Sequence, residues 1–241
     1  MTAFITAAAI PLAAKPQPAP SHAARTTVLY NGGMSTTDHP IEPRVSEPRS
    51  SEPRVSEPRS RLLRTAADLF YRDGIHSVGV DRIVAEAGVT RATFYRHFPS
   101  KEDLVSAYLE LEDSTIRAYF TSAAPLADSP ERMLELIIDG IADDLSRNHT
   151  RGCPFINAAA EYPDAESAVR VRVSTHREWF RSTLQSALEA AGRDDAETRA
   201  RSLVLLRDAA FVGGYLDGPS VVVGSFIATA RTVAGLGTSG D

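Results

Sequence analysis

From Ser60 to Ala234 the apolar residues recur at every third or fourth position, in runs broken by glycine, proline or a capping residue. That spacing is the period of a helix with one buried face, not the alternation of a half-exposed strand. It predicts an all-α chain. A first helix is expected over 61–72, capped by Ser60 and ended at Gly74, with Leu62, Ala66, Leu69 and Phe70 inward. A second covers 80–87, and a third runs from the cap Thr90 to His97. Ser100 and Asp103 form a capping box for a fourth helix reaching about Phe120, with Leu104, Tyr108, Leu111 and Thr115 on one face.

The second half is punctuated in the same way. Ser129-Pro130-Glu131 combines a cap, a first-turn proline and an acid, and opens a helix with Leu134, Ile137, Ile138, Ile141 and Leu145 inward. A short helix is expected from about Pro154. The longest spans 164–191, with Val169, Val173, His176, Phe180, Leu184 and Leu188 on its inner face. Two more follow over 196–216 and 219–234. Val221-Val222-Val223 favours a strand by propensity, but Val222, Phe226, Ala230 and Val233 keep the helical spacing and no partner strand exists.

Residues 1–59 differ in kind. From Glu42 the chain repeats Glu-Pro-Arg-Val-Ser and Glu-Pro-Arg-Ser-Ser, ending in Glu57-Pro58-Arg59-Ser60. Such a segment buries too little apolar surface to offset its ordering entropy and is expected to be an extended tail. Either it is passive, with Met34 as an alternative start, or Arg44, Arg49, Arg54 and Arg59 touch nucleic-acid phosphates. The composition favours the passive role. Ala3 to Ala14 is apolar, yet no Lys or Arg precedes it, so it lacks the basic start of a secretory signal. No apolar run approaches membrane-spanning length. The one cysteine, Cys153, excludes an intrachain disulfide. Together these features suggest a cytoplasmic protein. The net charge of −5 lies almost wholly beyond residue 108, because residues 61–108 carry seven Lys/Arg against six Asp/Glu. That slightly basic segment permits a contact with nucleic acid.

The same segment holds the most informative stretch, residues 79–101. It reads as helix, glycine turn, helix: Gly88 suits the tight turn, and Ile83, Val84, Ala87, Val89, Phe94 and Phe98 seal the two helices together. Thr90, Arg91, Thr93, Tyr95, Arg96 and His97 are left for the outer surface. That set is rich in donors and contains no acid, which suits a short helix reading a major groove.

Ala87-Gly88-Val89, Thr90-Arg91, Thr93-Phe94-Tyr95, His97-Phe98 and Ser100-Lys101-Glu102-Asp103-Leu104 together resemble the helix-turn-helix of the TetR family. The likeness covers residues 61–108 strongly; beyond that it rests on length, helix count and two final helices rich in small residues. Gly79 departs from the usual Ser or Thr cap, and Val84 replaces a frequent alanine. Beyond the tail that composition assigns to 1–59, the resemblance implies a helix-turn-helix DNA-binding domain over 60–108 and a helical effector-binding and dimerisation domain over 109–236. It implies base-edge contacts near Thr90, Arg91 and Ala92, and phosphate contacts from Thr93, Tyr95, His97 and Lys101. Arg91 is the expected guanine reader, since its forked donor matches the O6/N7 edge. It further implies a homodimer held by the last two helices, through Ala209, Ala210, Gly213 and Gly214 on one and Gly224, Ala228 and Ala230 on the other. A small-molecule effector is expected among the middle helices, near Phe120, Met133, Ile137, Phe155, His176, Trp179 and Phe180, although for each of these an apolar stripe favours core packing.

Function then reads as a ligand-responsive repressor acting on a double-stranded DNA operator. The alternatives are a ligand-requiring activator and a small-molecule-binding helical protein with a vestigial reader. Cys153 is expected to be a buried thiol, a redox switch being the alternative. No residue set has catalytic or metal-ligand spacing, so no enzyme activity, metal or cofactor is expected.

Overall fold

The computed structural model describes residues 56–237, and no strand occurs among them. Of the tail expected over 1–59, residues 1–55 lie outside the described residues. Helices α1 (Glu57–Asp73), α2 (Val80–Glu86) and α3 (Arg91–His97) lead into the long α4 (Lys101–Ala123). A 3-10 turn at Ala124–Leu126 precedes α5 (Pro130–Arg147), α6 (Pro154–Glu161), α7 (Ala168–Ala190), α8 (Ala196–Asp217) and α9 (Pro219–Val233).

α1 begins four residues before the expected Arg61, with Ser56 and not Ser60 at its cap. The last repeat unit is therefore helical. Pro58 sits in the first turn, where a missing N–H costs no bond, and Glu57 faces the positive end of the helix dipole. What distinguishes this unit from those before it is the apolar stripe that follows. Leu62 and Ala66 are fully buried, and the Arg59 guanidinium lies 5.0 Å from the centre of the Phe98 ring. A tertiary contact thus recruits a turn that composition alone assigns to the tail.

Gly88 supplies the turn between α2 and α3 at φ +62°, a left-handed conformation that a side chain would strain. Ile83, Val84, Ala87, Phe94 and Phe98 are buried there, and Val89 is half-buried. Thr90 caps α3 by accepting a bond from the Thr93 amide at 3.1 Å, and Ser100 with Asp103 forms the full capping box of α4. Gly79 begins α2 with no side-chain cap.

α7 is central to the C-terminal helices, and its six expected inward residues are all buried. On α4 the buried stripe runs Leu104, Tyr108 and Glu112, while Leu111 and Thr115 face outward. At Tyr108 the continuation by four residues wins over the expected step of three, because the helix then turns its face from α1 toward α7. On α8, Gly214 lets Leu145 of α5 approach so closely that an added Cβ would lie 2.6 Å from its methyl group.

Candidate nucleic-acid interface and internal cavity

The short α3 is held by one apolar side, Phe94 and its neighbours, so its other residues are turned outward. Thr90, Arg91, Ala92, Tyr95 and Arg96 are exposed, and Thr93 and His97 are half-buried beside them. Tyr95 is 48% exposed with its ring edge against Phe94, an arrangement that steadies an outward hydroxyl. Arg91 is exposed but not idle. Its Nε donates to Asp81 Oδ1 of α2 at 2.6 Å, and a second guanidinium nitrogen joins the same carboxylate. The Arg91 fork is therefore presented beside an acid that the reading of α3 alone did not include. Ser56 Oγ lies 3.4 Å from His97 Nε2, so the chain enters α1 next to the end of α3.

Lys101, expected at a phosphate, also has partners within the chain. Its ammonium is turned inward, donates to the Ile75 carbonyl at 2.6 Å and lies 5.9 Å from the Phe70 ring centre. Burial moves its pKa below the ordinary lysine value.

Further in, α4, α5, α7 and α8 border a partly open cavity of about 30 Å3. Of the expected ligand residues, Phe120, Ile137, His176 and Phe180 line it. Met133 and Trp179 instead line an open outer cleft of about 560 Å3, which shares Phe120 and Ile137 with the cavity. Phe155 lines neither; it stacks flat on His176 at 3.7 Å and faces a groove between α6, α7 and α8. Burial outweighs the bond that His176 Nδ1 donates to Asp113 Oδ1 at 2.7 Å and moves His176 down to about 4, so its imidazole is neutral at ordinary pH.

The cavity floor carries Asp144 and Arg207, neither singled out in the sequence. Asp144 bonds His149 at 2.7 Å, and Glu112 takes the other ring nitrogen of His149 at 3.3 Å. Burial alone would strip the proton from this histidine, but the two carboxylates hold its pKa up at about 10. Arg207 reaches Asp208 at 3.2 Å and the buried Cys153 sulfur at 3.4–3.5 Å.

The loop between α5 and α6 carries His149 and Cys153 and also grips α1. Arg151 N donates to Tyr71 Oη at 2.7 Å, Tyr71 Oη donates to the Gly152 carbonyl at 3.0 Å, and the Arg151 side chain reaches the Tyr71 carbonyl at 2.8 Å. Beside it, Glu161 of α6 accepts bonds from the amides of Ile75 and His76 at 2.8 and 2.6 Å. These partners lie some eighty residues apart, so no local pattern announces them. The one available signal is a charge on a buried stripe, as with Glu112 on α4, Asp144 on α5 and Arg207 on α8.

The small residues of α8 and α9 divide in a way the sequence does not reveal. Ala210, Gly214 and Ala230 are buried within the chain, and Gly213 faces Val222. Ala209, Gly224 and Ala228 are exposed, next to Leu205, Val212, Leu216 and Val221.

Residues 62–108 match the family of bacterial regulatory proteins, tetR family, and residues 130–204 match the tetracyclin repressor-like C-terminal domain. SCO4454, a TetR-family transcriptional regulator from Streptomyces coelicolor, is 44% identical; the match covers 73% of this chain and 94% of that structure, with a TM-score of 0.71. The HTH-type transcriptional regulator MT1294 of Mycobacterium tuberculosis is 28% identical over 58% of this chain and 79% of its own length. The TetC protein of transposon Tn10 from Escherichia coli is 34% identical, over 34% of this chain and only 44% of TetC. With a glycine-turned reading helix, an all-helical body and a relative matched over nearly its whole length, this chain belongs to the TetR family of helix-turn-helix transcriptional regulators.

Proposed function

We propose that the protein is a ligand-responsive repressor that binds its operator as a homodimer. Residues 56–108 act as the DNA reader, and 109–236 as the sensing and dimerising body. Arg91 reads a base edge, with Thr90 and Ala92 beside it, and Arg96 adds charge. Thr93, Tyr95 and His97 position the helix on phosphates. Lys101 serves this surface from behind, by tying the start of α4 to the turn after α1.

The observation that carries ligand response is the bridge from cavity to reader. A cavity of about 30 Å3 is far smaller than the several hundred Å3 of an ordinary ligand pocket, so a ligand must part its walls. Those walls include Asp144 and Arg207, whose partners His149 and Cys153 sit on the loop that holds Tyr71. They also include Phe120, near the far end of the helix that starts at Lys101. Parting the walls therefore biases the pose of the reader, and differential affinity for the two poses is what a ligand needs to change DNA binding.

The dimer reading rests on Leu205 at 68% exposed, Leu216 at 71% and Val221 at 65%, alongside Val212 and the small residues Ala209 and Gly224. So much outward apolar surface on the last two helices suits an isologous two-fold contact. The test is titration of wild type and Arg91→Ala against an operator selected from genomic DNA and against a scrambled duplex. The variant should lose about 1–3 kcal/mol on the operator and little on the scrambled duplex. Equal loss on both, with a shallower salt dependence, would make Arg91 a phosphate anchor and refute its reading role.

A further inference from the structure

Resting on the reading of this cavity as the effector site, a further property follows from its charges. Every ionisable side chain lining the cavity and the outer cleft already has a partner in the protein. In the cleft, Arg117 is held by Asp113 at 2.6 Å and lies 4.1 Å from the Trp179 ring centre. On the cavity floor Asp144 is matched by His149, which also meets Glu112, and Arg207 by Asp208, which also meets Arg177. The cations Arg117, His149, Arg177 and Arg207 thus face the anions Glu112, Asp113, Asp144 and Asp208, and no charge is left over. None of the buried polar atoms without a partner belongs to a lining residue. The rest of the wall is aromatic and aliphatic apart from neutral hydroxyls, those of Tyr119 in the cavity and of Thr121, Thr183 and Ser186 in the cleft. Phe120 meets Trp179 edge to face at 5.3 Å and Phe180 at 6.0 Å, and Phe211 closes the floor. Phe120 and Ile137 line both spaces and so form the partition between them.

We infer that the effector is an uncharged, largely aromatic molecule that passes from the outer cleft between Phe120 and Ile137 into the cavity. An ion brought to the same place would lose its water and find every opposite charge already engaged, which is costly. A flat ring, by contrast, slots among edge-to-face neighbours that already favour that geometry.

The test uses the full chain and three probes on one ring system: biphenyl carboxamide, biphenyl carboxylate and biphenyl methylammonium. Affinity is read by calorimetry. Emission of Trp179, the one tryptophan in the chain, reports the place. The carboxamide should bind and change the emission, with both ions at least about tenfold weaker. An ion that binds as tightly as the carboxamide, with the emission change, would overturn the inference while leaving the site intact. Failure of all three to bind, or binding that leaves Trp179 unchanged, would overturn the effector-site reading itself. Ile141→Phe, which narrows the cavity behind the partition, should weaken the carboxamide about tenfold; unchanged affinity would refute passage beyond Phe120.

Discussion

His149 is the sharpest test of how the buried charges hold the fold. In the folded protein its imidazole keeps a proton up to about pH 10, against 6.5 for an ordinary histidine. Below pH 6.5 both folded and unfolded chains carry that proton, and the stabilisation from Glu112 and Asp144 is present in full. Between 6.5 and 10 only the folded state keeps it, so unfolding releases a proton and stability falls as pH rises. The slope for one proton is about 1.4 kcal/mol per pH unit, and the whole effect is on the order of 5 kcal/mol. The comparison is the double variant Glu112→Gln, Asp144→Asn, whose buried imidazole has no carboxylate to hold its proton and is neutral through this range. Urea unfolding of both proteins at pH 7, 8 and 9 gives the difference, in which unrelated groups cancel. Wild type should lose about 1.4 kcal/mol of its advantage per unit. A difference that stays flat from pH 7 to 9, or an imidazole resonance titrating near 6.5, would refute the argument.

Three further outcomes follow from the geometry. Val212→Glu with Leu216→Glu places acids on the exposed apolar face of α8 and should give a monomer by light scattering, with operator affinity lost; a dimer that survives both would move the interface elsewhere. Lys101→Met removes the bond to the Ile75 carbonyl and should lower unfolding stability by about 1–3 kcal/mol with the salt slope of DNA binding unchanged. Unchanged stability with a slope lowered by about one unit per reader would make Lys101 a phosphate contact. A chain starting at Ser56 should bind the operator within a few-fold of the full protein, because arginine and glutamate alternate in the repeat and their fields cancel; a hundredfold loss at moderate salt would give the tail a DNA contact.

How much of this was legible in the chain depended on whether the cause was local. α7 could be read residue by residue from Val169 to Leu188, because one face of it is buried from end to end. α4 could not be followed past Tyr108, since its buried side passes between two sets of partners and spacing alone does not choose Glu112 over Leu111. The α3 surface was visible because Gly88 and the apolar seal leave few residues outside, yet the Asp81 partner of Arg91 sits ten residues back on another helix. The cavity was half legible: its aromatic walls follow from the stripes. Its floor does not, since Asp144 and Arg207 are kept inside by partners whose distance along the chain no periodicity encodes. The same holds for α8, where identical small residues face either Leu145 or solvent.

The grip of α6 and its preceding loop on α1 also bears on how freely such a reader can be exchanged. Tyr71 and the Ile75–His76 amides belong to the helix-turn-helix end, while Arg151, Gly152 and Glu161 belong to the C-terminal helical body. A chimera that grafts a foreign reader onto this body inherits an acceptor carboxylate and a loop carbonyl shaped for a tyrosine at one fixed turn of the first helix. Without that tyrosine, the graft can still fold and still find its own operator, but the body has lost its handle. Under the proposed ligand response, transplanted specificity would then come without transplanted control.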